Sequence, residues 1–161
     1  MLKFDVIKIQ KPDDINAILG QAHFIKTVED LEEILITSVP GIKFGIAFCE
    51  SSGPRLIRYT GNDEELTKLA IENALNVGAG HFFIILIKSA FPINVLNAIK
   101  HCQEVANIYA ASANQIEVII AETEQGRGIM GIIDGYSPLG VESESDKAKR
   151  YEFLRKIGYK K

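Results

Sequence analysis

Two stretches of the chain set a functional side chain among glycines. Gly126-Arg127-Gly128-Ile129-Met130-Gly131 fits the G-x-G-x-x-G spacing letter for letter. In a dinucleotide fold that spacing must leave a strand and open a helix whose N-terminus faces the pyrophosphate. Here it runs into Ile132-Ile133-Asp134-Gly135-Tyr136-Ser137-Pro138, which is β-like and then broken, so no helix end is supplied and that reading fails. Glycines in a strand-loop-strand can still bring backbone N–H groups close to a phosphate, and the forked guanidinium of Arg127 can reach the same anion. The plain alternative is a hairpin shaped by glycine, with Arg127 paired to a nearby acid.

The second stretch, Asn76-Val77-Gly78-Ala79-Gly80-His81, puts an imidazole at the first residue of an apolar strand behind a flexible turn. Histidine there can shuttle a proton near neutral pH or accept a phosphoryl group. Its bland counterpart is a core histidine bonded to backbone. The glycines clear space that packing alone does not need. His23 has Lys26 three residues away and is the second candidate, whereas His101 beside Lys100 reads as exposed. No histidine stands at ligand spacing from another ligand type, so no structural metal is expected.

Asn94 and Asn97 lie three apart in the first two turns of a helix begun by Pro92, where carboxamides can read a base or ribose edge or simply bond back to a loop. The strand from His81 to Lys88 covers about 23 Å at about 3.3 Å per residue. His81 and Asn94 therefore mark one pocket only if two subunits build it, or only one of them marks the site. Glu122 and Thr123 end a strand just before Gly126, and Asp134 follows the loop. Either acid beside a phosphate could hold Mg²⁺ or take a hydroxyl proton, or could be a turn residue facing water.

The elements that must position these groups are legible from periodicity. Leu2-Phe4-Val6-Ile7-Ile9 alternates with polar residues as a half-buried edge strand does. Thr27 with Asp30 resembles a capped start for a helix over 28–38, ended by Pro40-Gly41. Residues 42–50 and 55–60 read as a hairpin turned by Ser51-Ser52-Gly53-Pro54. Asn62 as N-cap with Glu65 three residues into the helix opens the clearest helix, closed by Gly78. The stretch 81–88 is apolar on both faces and belongs mid-sheet. Strands follow at 108–111, 116–122 and 129–134. The order predicts one α/β domain over 1–161, a layered sandwich of a mixed β-sheet with helices packed on its faces, and a basic C-terminal helix over 146–161.

Taken together, Gly45-Ile46-Ala47-Phe48-Cys49-Glu50, Gly78-Ala79-Gly80-His81, Phe91-Pro92-Ile93-Asn94-Val95-Leu96-Asn97, Glu122-Thr123-Glu124-Gln125-Gly126-Arg127-Gly128 and Asp134-Gly135 resemble the adenosine-specific kinase family from about Gly20 to Glu142. The resemblance implies a small α/β sandwich that binds adenosine or AMP, is named a phosphotransferase, and assembles as a homo-oligomer, a trimer being one form. It places the family's histidine at His81 and draws Glu50 into the site with Gly78, Gly80, Gly126 and Gly128. It departs from the family pattern at His101-Cys102-Gln103 and Asn114-Gln115, which touch local backbone shape. ATP with Mg²⁺ is the phosphate donor the resemblance suggests, although the chain has neither a Walker loop nor the Lys, Asp and Asn signatures of protein kinases. A second reading is an adenosine or AMP sensor without catalysis, and a third is a structural assembly protein.

Composition limits the alternatives. The chain has 161 residues, 47% hydrophobic and 24% charged, with two cysteines set in apolar sequence, where buried thiols are expected rather than a redox or metal pair. No apolar run approaches the roughly 20 residues of a membrane span, and the start lacks the pattern of a secretory leader, so a cytoplasmic protein is expected. The net charge of −3 divides unevenly. Residues 1–145 are acidic on balance and 146–161 strongly basic, which argues against a nucleic-acid footprint on the body and for a C-terminal helix docked on its own body or on a neighbouring subunit.

Overall fold

The computed structural model describes residues 1–161 as an α/β protein with two antiparallel sheets and four helices. The larger sheet holds β2 (Asn16–Ala22), β3 (Lys43–Cys49), β4 (Ile57–Gly61), β5 (Phe82–Lys88) and β6 (Val105–Ser112), in the order β4-β3-β5-β2-β6. The smaller holds β1 (Lys3–Lys8), β7 (Ile116–Glu122) and β8 (Arg127–Asp134), with β7 in the middle. β5 is central, and Phe82 through Ile87 are buried on both faces as their uninterrupted apolar run requires.

Two apolar layers hold the sandwich together. On one face of the larger sheet, Ile18, Phe44, Ile46, Phe48, Phe83, Ile85 and Ile87 pack under α1 (Thr27–Ser38) and α3 (Pro92–Lys100). On the other, Leu19, Ala47, Phe82, Ile84 and Leu86 meet α2 (Glu64–Val77) and the inward row Ile116, Val118 and Ile120 of β7. The strands expected as one mixed sheet are thus shared between two, because β6 runs through a short turn directly into β7 and the chain changes layer there.

Three local expectations are corrected. A strand over 16–22 was not foreseen: Asn16 through Leu19 are buried, so its sequence has no period of two. The N-cap of α2 is Asp63, whose carboxylate accepts from the Leu66 N–H at 3.0 Å, while Asn62 ties Phe44 N–H and the Ile42 carbonyl instead. Asp63→Ala is therefore expected to cost about 1 kcal/mol, read as a lowered urea midpoint at unchanged slope; an unchanged midpoint would contradict the assignment. Thr27 does not cap α1; its hydroxyl bonds back to the Phe24 carbonyl, and Asp30 pairs with Lys26.

The alternating strand at the start is present but turned over. Of the pattern's apolar residues Ile7 packs inward and Ile9 is buried, whereas Leu2, Phe4 and Val6 are 56%, 63% and 50% exposed. α4 (Glu144–Lys156) forms inside the expected basic tail with Ser143 and Asp146 as a reciprocal cap, yet buries none of its residues against the body.

Candidate functional site

The two glycine clusters, 48 residues apart in sequence, meet in space. Gly78 ends α2 in the left-handed conformation (φ 60°), its N–H bonded to the Ala74 carbonyl. The following Ala79 makes an isolated parallel bridge with Arg127, the first residue of β8. Arg127 and Gly128 are thus strand residues, and only Gly126 stays in the turn, where the Thr123 N–H bonds its carbonyl.

Arg127 is held on two sides. Its Nε donates to Glu122 at 2.6 Å, and Nη1 donates to the carbonyls of Asn76 and Val77 at 3.0 and 3.3 Å. Those carbonyls close the C-terminal turn of α2, where the helix dipole favours a cation. Nη2 has no protein acceptor. The guanidinium is consequently fixed with one donor edge spare, as an anion receptor requires.

Around it opens a cleft of about 850 Å³. Of the residues singled out from sequence it gathers Glu50, Gly78, Gly80, Thr123, Gly126, Arg127 and Gly128. A Cβ added at Gly126 or Gly128 would meet nothing within 4 Å, whereas one at Gly80 would press on Ser51 Cβ at 2.8 Å. The first two glycines border free space; Gly80 is a packing requirement.

The carboxylate of Glu50 accepts from the Leu56 N–H at 2.9 Å and from Arg58 at 3.0 Å. The Leu56 N–H and then Arg58 hold it below the usual carboxylate range. Sequence reading missed Arg55, which stands on the cleft wall, exposed, with φ 51° in the hairpin loop. Its signal was present as a cation directly after Gly53-Pro54, but that segment was read only as a turn. With Glu50 committed to Arg58 and Glu122 to Arg127, the cleft offers no free carboxylate set for a protein-held Mg²⁺.

The remaining candidates lie elsewhere. His81 follows Gly80 with φ 65°, and its ring stacks on Phe48 at 5.8 Å and 13°, on the α1/α3 side of the sheet; it does not line the cleft. Asn94 accepts from the Phe91 N–H at 2.9 Å and so closes the start of α3, and Asn97 is exposed on that helix. Asp134 accepts from Ser112 at 2.6 Å at the far end of β8, about 23 Å of strand from Arg127.

The sequence matches the adenosine specific kinase family over residues 7–160. The chain belongs to that family. Its fold is similar to the crystal structure of the PH1918 protein from Pyrococcus horikoshii OT3, at 52% identity and a TM-score of 0.96, over 100% of this chain and 99% of that one. No curated protein matches it. For this adenosine specific kinase family member no helix is long and apolar enough to cross a membrane.

His23 lies outside the cleft as well. Its N–H bonds the Glu104 carbonyl beside a partly buried ion-pair cluster in which only the Glu104 side chain is fully enclosed. There the Glu104 carboxylate meets the ammonium of Lys26, which also holds Asp30 at 2.5 Å, and accepts from the Cys102 thiol at 2.7 Å. Burial opposes the Glu104 charge, and hydrogen bonding from the Cys102 thiol and the Lys26 ammonium outweighs it, holding the carboxyl down to about 2. Because the folded value lies below the unfolded one, the stabilisation is complete above the ordinary carboxylate range, roughly pH 4–5. It drains as pH falls toward 2. Glu104→Gln should therefore lower the denaturation midpoint at pH 7, with the gap to the parent closing on acidification; a gap that widens would refute the pairing.

Proposed function

We propose that this cleft binds adenosine or AMP with the phosphate end at Arg127, and that the chain transfers a phosphoryl group to adenosine. The observation that carries the reading is the meeting of the Gly78 turn and the Gly126–Gly128 hairpin around a guanidinium with a free edge. Membership of the adenosine specific kinase family supports the ligand class. Arg55, which also lines the cleft, supplies a second cation for the additional phosphates of a donor such as ATP. In transfer, the ribose hydroxyl oxygen forms the new bond to phosphorus, the donor's bridging oxygen leaves, and the hydroxyl proton passes to a carboxylate. Glu122 is the acid nearest to Arg127 for that role, and Asp134, at the other end of β8, is not. His81, one residue past Gly80, is the candidate phosphoryl acceptor or base, which requires its ring to leave Phe48 or a neighbouring subunit to bring the substrate to it.

A second reading is favoured by that same stacking: with His81 turned from the cleft and both nearby acids paired, the site is equipped to bind and report AMP without transfer. Pure protein incubated with labelled ATP, with and without adenosine, separates the two. Label appearing in AMP establishes transfer, and its absence beside intact AMP binding leaves the sensor. Acid-labile labelling of the protein itself should vanish in His81→Ala and persist in His101→Ala; equal labelling removes His81 from the reaction.

A further inference from the structure

Arg58 is a cation that does not line the cleft. It stands opposite Phe48 in the β3–β4 register, so its side chain falls on the α1/α3 side of the larger sheet. Its Nη2 nevertheless donates to both carboxylate oxygens of Glu50, at 3.0 and 3.2 Å. One of those oxygens also accepts from the Leu56 N–H at 2.9 Å, and the Glu50 N–H donates to the Leu56 carbonyl at 3.2 Å. Glu50 thus ties off the loop 51–55 across its base, by main chain and by side chain, and Arg58 holds the carboxylate in place from behind.

The loop so closed carries a strained residue with a free charge. Arg55 has φ 51°, in the left-handed region that glycine alone enters without cost, and Gly53 two residues earlier takes the same region at φ 62°. A side chain kept there means that its surroundings over-determine the backbone, and such outliers gather at ligand sites. The restraints are the Glu50 carboxylate on the next N–H, the Ser52 carbonyl accepting from the Arg55 N–H at 3.3 Å, and Ser51, so close to the Gly78–Gly80 turn that a Cβ at Gly80 would meet it at 2.8 Å. The Arg55 guanidinium itself is exposed, pairs with no carboxylate of the chain and lines the same cleft as Arg127.

We infer that Arg58 is a positioning residue: through Glu50 it fixes the backbone of Arg55, and so sets the preference of the cleft for a nucleoside triphosphate over a monophosphate without touching either. The inference rests on the reading of the cleft given above, with the first phosphate at Arg127 and those beyond it at Arg55. Without Arg58 the Glu50 carboxylate is free to turn into water, the left-handed backbone relaxes, and the Arg55 guanidinium must be ordered anew by each ligand that needs it. Only ligands with outer phosphates bear that cost.

Calorimetry on the full chain with ATP, AMP and adenosine tests this. Arg55→Ala should weaken ATP about 10-fold. Arg58→Ala should weaken ATP about three- to tenfold with AMP and adenosine within about twofold of the parent, and Arg58→Lys, which keeps the charge but not the fork, should recover part of the loss. On the Arg55→Ala background, Arg58→Ala should change ATP affinity by no more than about twofold, since its whole effect passes through Arg55. Retained AMP binding shows each variant to be folded, and Glu50→Gln carries the same expectation as Arg58→Ala should that chain not fold. Unchanged ATP affinity in Arg58→Ala beside a weakened Arg55→Ala overturns the positioning role, as does equal weakening of all three ligands or an additive double variant. Unchanged ATP affinity in Arg55→Ala overturns the assignment of outer phosphates to Arg55 and this inference with it, whereas a parent that binds none of the three overturns the reading of the cleft itself.

Discussion

Replacing Arg127 by alanine should weaken AMP binding about 100-fold while leaving adenosine binding within about twofold. The guanidinium is the one cation that the fold clamps at the cleft, between Glu122 and the last carbonyls of α2, with Nη2 free. A charge-assisted contact to phosphate is worth roughly 1.5–3 kcal/mol, which is one to two powers of ten in affinity. Adenosine has no such anion and should not register the loss. Arg127→Lys keeps the charge but cannot hold Glu122, two carbonyls and a ligand at once, so it should recover only part of the affinity. Glu122→Gln removes the clamp's anionic half and should fall between parent and Arg127→Ala. Calorimetry with both ligands decides the matter. If adenosine and AMP weaken equally in Arg127→Ala, the phosphate does not sit at this residue.

The second large effect concerns stability. On β3 the face toward α2 is built of Gly45, Ala47 and Cys49, while Phe44, Ile46 and Phe48 point the other way. Small residues on one side let the helix backbone lie close to the strand. A Cβ on Gly45 would fall on the Leu66 carbonyl and the Thr67 nitrogen, closer than real carbon contacts allow, and both belong to backbone that cannot rotate away. Gly45→Ala should cost about 3 kcal/mol or more, lowering the melting temperature by roughly 6–12 °C for a chain of this size. Gly126→Ala, whose Cβ meets nothing, should stay within about 0.5 kcal/mol of the parent. Equal thermal scans for the two would show that α2 does not rest on β3 as described.

These two glycines also show what the linear sequence can and cannot convey. Gly126 stands beside an arginine, a local signal, whereas Gly45 enters only as the first residue of a family motif, because its packing necessity lies in a helix some twenty residues away. The strand β5 and the helix α2 were readable, since a six-residue apolar run and an i, i+3, i+4 pattern are local signals. β2 was not, because burial on both faces erases alternation and Gly20 and Gln21 interrupt the apolar run. In the site, Gly78, Gly80, Arg127 and Gly128 were each named, yet as two separate places; the bridge from Ala79 to Arg127 is a tertiary pairing that no spacing encodes. His81 was placed correctly beside a glycine turn, but the side to which its ring turns follows from the left-handed backbone at that residue and from Phe48 on another strand. Asn62 and Asp63 are adjacent good caps, and the choice between them was made by the Phe44 N–H and the Ile42 carbonyl, which claim Asn62.

The pairing of β1 with β7 alone has a bearing on biosynthesis. Its partner comes more than a hundred residues later, so at about 5–20 residues per second the nascent β1 waits roughly 5–20 s before any hydrogen-bonding neighbour exists. Throughout that interval Leu2, Phe4 and Val6 are presented on an unsatisfied strand, open to adhesion between polysomes. Lysines at 3 and 8 and the aspartate at 5 interrupt that ribbon with charge, the placement by which charged residues keep exposed apolar strands from pairing with one another.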